Sequence, residues 1–128
     1  MHIVFWWISI VLLLICLPLF ILSVNLEPGY LKPVYDYSKL VENSLDLGLH
    51  LDNLCSYCEV IKSETSFHCT ICNKCIESFD HHCPFINNCL GYRNHKYFLA
   101  FIFLYFFLVN CEILFLHNYA RNFADIFS

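Results

Sequence analysis

The sequence predicts an α-helical integral membrane protein in which two apolar helices flank a small, irregular, cysteine-rich domain with short β-hairpins. Three observations predict it. From Ile3 to Val24 there is no Asp, Glu, Lys or Arg, and a second apolar run opens at Tyr97; each is near the ~20 residues that cross a hydrocarbon core of about 30 Å. Between them, residues 55–89 hold eight of the side chains that bind soft metals and one more of the same kind: Cys55, Cys58, His68, Cys69, Cys72, Cys75, His82, Cys83 and Cys89. Finally, 59% of the 128 residues are hydrophobic, too apolar a composition for a small soluble domain.

Composition also excludes classes. A net charge of −4 provides no clustered basic stripe to displace phosphate counterions, so a nucleic-acid partner is not expected. Nine cysteines raise the possibility of a secreted disulfide framework, but overlapping Cys-x-x-Cys steps interspersed with histidine are metal spacing. Cys16 and Cys111 lie inside apolar runs and read as small buried hydrophobes.

Residues 1–25 form the first transmembrane helix. A signal peptide is the rival reading, and it fails because there is no basic start, the apolar run is too long and no small-residue cleavage site follows. Pro18 kinks this helix without ending it. Residues 26–54 are a cytosolic linker opened by the helix-breaking turn Glu27-Pro28-Gly29. Within it, the apolar positions from Leu40 to Leu49 suit a short amphipathic segment packed on a neighbour. Residues 55–96 are the cysteine-rich domain, irregular with hairpins at its Cys-x-x-Cys knuckles, because metal bonds replace a core that so few residues cannot build. Residues 97–117 form the second transmembrane helix, with Glu112 near its far end where a carboxylate reaches water. Residues 118–128 are a non-cytosolic tail. Lys32, Lys39, Lys62, Lys74, Arg93 and Lys96 lie between the helices and only Arg121 beyond them, which puts the central domain on the cytosolic side. A reducing compartment agrees with so many free thiols.

Two closed tetrahedral zinc sites absorb eight of the nine candidate ligands. Spacing alone does not pair them. The run Cys-x-x-Cys, His-Cys-x-x-Cys-x-x-Cys, Asp80-His81-His82-Cys83-Pro84, then Asn88-Cys89-x-Gly91 and Asn94 resembles the cysteine-rich domain of the DHHC protein S-acyltransferases, and Glu27-Pro28-Gly29 resembles that family's Asp-Pro-Gly motif. The resemblance implies one structural zinc on Cys55, Cys58, His68 and Cys75, a second on Cys69, Cys72, His82 and Cys89, and Cys83 as the nucleophile. It further implies a long-chain acyl-CoA, such as palmitoyl-CoA, as co-substrate, protein cysteines as acceptors, and a Golgi or endoplasmic reticulum membrane. Phe85 stands where the family usually has tryptophan. The family usually has four transmembrane helices and a Thr-Thr-x-Glu motif, so the expectation is a fragment or truncated member corresponding to the second and third helices.

Acyl transfer from a thioester needs a thiolate, and a nearby imidazole brings a thiol towards ionisation at working pH. His82 is committed to zinc in this reading, which leaves His81 as the base and Asp80 as the carboxylate that orients it. Arg93 and Lys96 are candidate partners for CoA phosphates on charge alone. Three rivals remain. Asp80 and His81 can instead be partners of the metal ligands, with Cys83 a substitute ligand; the whole domain can be a catalytically inactive, membrane-anchored zinc module recruiting proteins; or it can be a RING-like adaptor, whose ligand spacing differs. His2, His50, His95 and His117 read as surface or interface residues.

Overall fold

In chain order the elements are α1 (His2–Asn25), α2 (Tyr37–Asp46), the short strands β1 (Leu54–Cys55), β2 (Val60–Ile61), β3 (Phe67–Cys69), β4 (Lys74–Ile76), β5 (His82–Cys83) and β6 (Asn88–Cys89), and α3 (His95–Ile126). The computed structural model describes residues 2–47 and 51–126. His50 and the end of the anticipated amphipathic segment, Gly48 and Leu49, lie outside the described residues. The chain divides into two units, Met1–Leu22 with Tyr97–Ser128, and Ser23–Lys96.

In the first unit α1 and α3 are each long and apolar enough to cross a membrane. α1 continues through Pro18 as one unbroken helix. The α3 helix is longer than the anticipated 97–117. It begins at His95 and continues through most of the stretch expected as a tail, because residues 118–126 contain no glycine or proline to stop it. At 32 residues it is about 48 Å long, more than a hydrocarbon core requires. Ring pairs Phe5–Phe115 (5.6 Å) and Phe20–Phe101 (5.2 Å) and the Ser9 hydroxyl, which donates to the Glu112 carboxylate, advance along one helix as they retreat along the other. The two helices are therefore antiparallel neighbours. Glu112 thus has a hydroxyl partner on the neighbouring helix. Ser9 and Glu112 also line an otherwise apolar cleft of about 260 Å³ with Phe5, Trp6, Leu108 and Phe115.

The second unit is built on three antiparallel two-stranded hairpins, β1–β2, β3–β4 and β5–β6. They repeat at a spacing of 14 residues: Cys55, Cys69 and Cys83 end the first strands and pair with Val60, Lys74 and Asn88. Each four-residue turn ends on a residue with positive φ, Glu59 (54°), Asn73 (51°) and Asn87 (47°), the left-handed position that lets a short turn reverse the chain. The Cys-x-x-Cys steps do not show this repeat, since the third turn carries Ile86 where the others carry Cys58 and Cys72.

The linker belongs to this unit. Gly29 adopts φ 109°, and the turn it makes lets Leu31 N–H donate to the Cys75 carbonyl and Glu77 N–H to the Gly29 carbonyl, both at 2.9 Å, so residues 29–31 run along the edge of β4. The anticipated amphipathic segment is α2, capped by Asp36, whose carboxylate accepts from Lys39 N–H. Ile76, Leu90, Val60, Cys75 and Cys89 are fully buried. Cysteine supplies much of this core.

Gly91 holds the linker against this core. A Cβ there would lie 2.4 Å from Ile76 Cγ2, 2.6 Å from the Pro28 carbonyl oxygen and 2.9 Å from that of Glu77. Two of these neighbours are backbone and one is a buried aliphatic side chain, so none yields cheaply. Gly91→Ala is expected to cost roughly 2–3 kcal/mol, read as a lowered thermal midpoint of the metal-loaded protein; an unchanged midpoint would mean that the 28–29 turn moves away freely.

Candidate metal centres and the Asp80–Cys83 strand

The sulfurs of Cys55, Cys58 and Cys75 and the Nδ1 of His68 lie within 4.8 Å of one another, as do those of Cys69, Cys72 and Cys89 with Nδ1 of His82. Each cluster is built the same way. A turn presents two cysteines, and the next hairpin contributes a His–Cys pair that are register partners, His68 with Cys75 and His82 with Cys89. Cross-strand partners put both side chains on one face of the hairpin, so the following hairpin closes the cluster of the preceding turn.

Distances suit a tetrahedral ion. Cys58, Cys55 and Cys75 sulfurs are 3.2, 3.6 and 3.7 Å from His68 Nδ1. Cys72 and Cys89 sulfurs are 3.4 and 3.5 Å from His82 Nδ1 and 3.3 Å from each other. A tetrahedron with zinc-like bonds of about 2.3 Å to sulfur and 2.0 Å to nitrogen puts its corners roughly 3.5–3.8 Å apart. The described cysteines carry no disulfide. Two clusters, each able to bind a metal ion, are therefore in place.

The thiols within each cluster are not equivalent. Burial opposes ionisation of Cys55 and Cys69, but the backbone N–H groups of Cys58 and Cys72, helped by neighbouring thiols and the N–H of Tyr57 and Ile71, hold both below the ordinary thiol range. Cys75 and Cys89 are pushed well up, first by burial and then by the thiols beside them. Both clusters thus have the same order of acidity, as their common construction requires.

Cys83 belongs to neither cluster. It occupies the place in the third hairpin that Cys55 and Cys69 occupy in the first two, yet its turn offers Ile86, 3% exposed, instead of a second cysteine. The chain then enters α3 rather than a fourth hairpin, so nothing supplies a closing His–Cys pair. Its thiol is 3% exposed and stands opposite Asn88, whose amide donates to the Val24 and Leu26 carbonyls at 3.0 Å. Phe85, the second residue of that turn, is 92% exposed.

Asp80 and His81 precede β5 at an irregularity. Asp80 N–H donates to the Leu90 carbonyl (2.9 Å) while Leu90 N–H donates to the His81 carbonyl (2.8 Å), so two residues oppose one, the pattern of a β-bulge. Strict alternation would send adjacent side chains to opposite faces. The bulge instead lets Asp80 Oδ2 sit 3.3 Å from His81 Nδ1. The same Oδ2 is 3.3 Å from Nε2 of His95, a residue that no local pattern connects with the tetrad.

Other anticipated positions are accounted for as follows. Arg93 Nη1 donates to Glu27 Oε2 at 2.9 Å, and Glu27 Oε1 accepts from Tyr30 N–H, which ties the Glu27-Pro28-Gly29 turn to the segment after β6. Lys96 is exposed in the first turn of α3. Asn94 is 0% exposed; its carbonyl accepts from Gly91 N–H, and its amide donates to the Cys89 and Ser23 carbonyls.

Relatives share this region. Palmitoyltransferase ZDHHC17 of Rattus norvegicus is 37% identical over 85 residues, 65% of this chain and 14% of that protein. Palmitoyltransferase Hip14 of Drosophila melanogaster is 36% identical over 101 residues, covering 76% and 15%. Palmitoyltransferase ERF2 of Debaryomyces hansenii is 60% identical over 48 residues, covering 38% and 13%. The matched region is thus a small share of each relative's length. Residues 49–126 match the family model described as DHHC palmitoyltransferase, and with more than half of its 128 residues matched the chain belongs to the DHHC palmitoyltransferase family.

Proposed function

We propose that the chain performs protein S-acylation, moving a long-chain acyl group such as palmitoyl from acyl-CoA to cysteine thiols of proteins. The observation that carries this is the place of Cys83: a cysteine at the knuckle position of the third hairpin, left out of both metal clusters and following the Asp80–His81 pair by two residues. Asp80 holds the Nδ1–H of His81, so His81 Nε2 takes the Cys83 proton. The Cys83 thiolate attacks the thioester carbonyl, the carbon–sulfur bond to CoA breaks, and the CoA thiolate leaves with a proton from His81. In the second half-reaction a protein thiol gives its proton to His81, attacks acyl-Cys83 and releases the Cys83 thiolate.

In this reading the clusters Cys55, Cys58, His68, Cys75 and Cys69, Cys72, His82, Cys89 each hold a structural zinc, with all four positions closed by protein. The helices α1 and α3 span the bilayer, and residues 26–96 face the cytosol of a Golgi or endoplasmic reticulum membrane, in keeping with the basic residues between the helices. Lys96 and Arg93 meet CoA phosphates, Arg93 sharing its guanidinium with Glu27. A second reading, an inactive membrane-anchored zinc module that recruits proteins, is favoured by the burial of Cys83.

The test incubates zinc-loaded protein in detergent micelles with a clickable palmitoyl-CoA analogue. Hydroxylamine-sensitive label on Cys83 is expected, and its absence from protein holding two zincs would leave only the recruiting module.

Metal loading is also expected to release protons. Cys75 and Cys89, with raised pKa values, keep their protons at neutral pH in the metal-free clusters and must lose them to ligate. Zinc affinity therefore falls as pH falls. Calorimetric titration in two buffers of different ionisation enthalpy reads the protons released; equal heats in both buffers would contradict this.

A further inference from the structure

We infer that His95 is a positioning residue for acyl transfer, acting by holding the Asp80 carboxylate in place for His81; this rests on the reading of Asp80, His81 and Cys83 given above. One oxygen, Asp80 Oδ2, lies 3.3 Å from both His81 Nδ1 and His95 Nε2. Both are close charge contacts rather than aligned hydrogen bonds; an ionised carboxylate offers no proton, so the nitrogen facing it carries the proton on each imidazole, Nδ1 at His81 and Nε2 at His95. With its oxygen fixed by a second imidazole, Asp80 loses the rotamer freedom that a half-exposed aspartate otherwise keeps, and the His81 tautomer that leaves Nε2 as proton acceptor is held in place.

His95 can act this way because its own backbone is anchored. Its N–H donates to the Gly91 carbonyl at 3.1 Å. Its neighbour Asn94 is fully buried and bonded to three backbone groups. Gly91 in turn sits in a gap that admits no Cβ. The first residue of α3 is thus fixed to the same hairpin that carries Asp80 opposite Leu90. Nothing in the 14-residue spacing of the hairpins foretold the contact, since it joins the bulge before β5 to the start of a helix.

The test uses the full chain in micelles, loaded with two zincs, and follows the rate of Cys83 acylation in single turnover. His95→Leu, which removes the imidazole contact, is expected to lower that rate about tenfold, the effect of one lost contact to a charged group at a half-exposed site, with little change in the acyl-CoA concentration for half-maximal rate. His95→Gln, whose amide N–H reaches towards the same oxygen, is expected to restore most of it. In an Asp80→Ala background His95→Leu should have no further effect, because the group it serves is gone. Equal rates for His95→Leu and wild type, or the same loss from His95→Leu with and without Asp80, would overturn the inference. Absence of label on the wild-type protein would overturn the acyltransfer reading itself, and the inference with it.

Discussion

Chelation of metal is expected to unfold residues 26–94 while leaving α1 and α3 helical. Among the described residues, the buried hydrophobic positions of this unit are Cys55, Cys69, Cys75, Cys83 and Cys89 together with the aliphatics Val60, Ile76, Ile86 and Leu90. Four aliphatic side chains at about 1.5–3 kcal/mol each do not offset the conformational entropy of so long a segment. Structural zinc in small domains contributes apparent free energies of about 10–16 kcal/mol, comparable to the whole stability of an ordinary domain. Moreover, the hairpins have only two or three residues per strand, too short to persist alone. Because the second hairpin donates ligands to both clusters, loss of one metal should loosen its neighbour. The measurement is amide hydrogen exchange with and without a high-affinity chelator: protection at Cys89 and Leu90 should collapse to that of an open chain, whereas protection within α1 and α3 persists. A cooperative melt of residues 26–94 that survives complete metal removal would refute the proposal that metal holds this unit together. His68→Ala should lower the bound metal from two ions to one.

The second large effect concerns the position that the third hairpin leaves without a metal. Cys83→Ser is expected to abolish acyl labelling altogether while both zincs stay bound, since Cys83 belongs to neither cluster. A serine hydroxyl is far less acidic than a thiol and forms an oxyester that hydroxylamine does not cleave under the same mild conditions, so even slow transfer would be recognised. Ile86→Cys is the complementary change. It recreates the Cys-x-x-Cys turn of the first two hairpins, and the paired thiols should capture zinc added in excess, cutting labelling at least tenfold in a zinc-dependent way that the wild type does not share. Zinc-independent labelling of Ile86→Cys would mean that the third turn differs from the others in more than this side chain. Label that persists in Cys83→Ser would place the acyl group elsewhere.

Much of this arrangement was readable from residue types and spacings. The two apolar runs gave both long helices, although the second outran its expected end because nothing in residues 118–126 breaks it. The nine soft ligands announced two metal clusters. Their pairing did not follow from spacing, since Cys69, Cys72 and Cys75 overlap as successive Cys-x-x-Cys steps; cross-strand register separates them, placing Cys75 with His68 and sending Cys69 and Cys72 to the next hairpin. The 14-residue repeat is masked in the ligand pattern, because its third turn carries Ile86 where the others carry Cys58 and Cys72.

His95, Gly91 and Asn94 mark the other limit. Their contacts join segments far apart in sequence, His95 to Asp80, Gly91 to Ile76 and Pro28, and Asn94 to Ser23, and none is implied by local periodicity. By itself the sequence determined the apolar spans, the clustering of soft ligands and the Asp80-His81-His82-Cys83 tetrad, because hydrophobicity and metal preference are properties of side chains. Only the tertiary structure decided which ligands share a cluster, why Cys83 is left without one, and which imidazole shares the Asp80 carboxylate, because those depend on strand register, on a one-residue bulge and on where a helix begins.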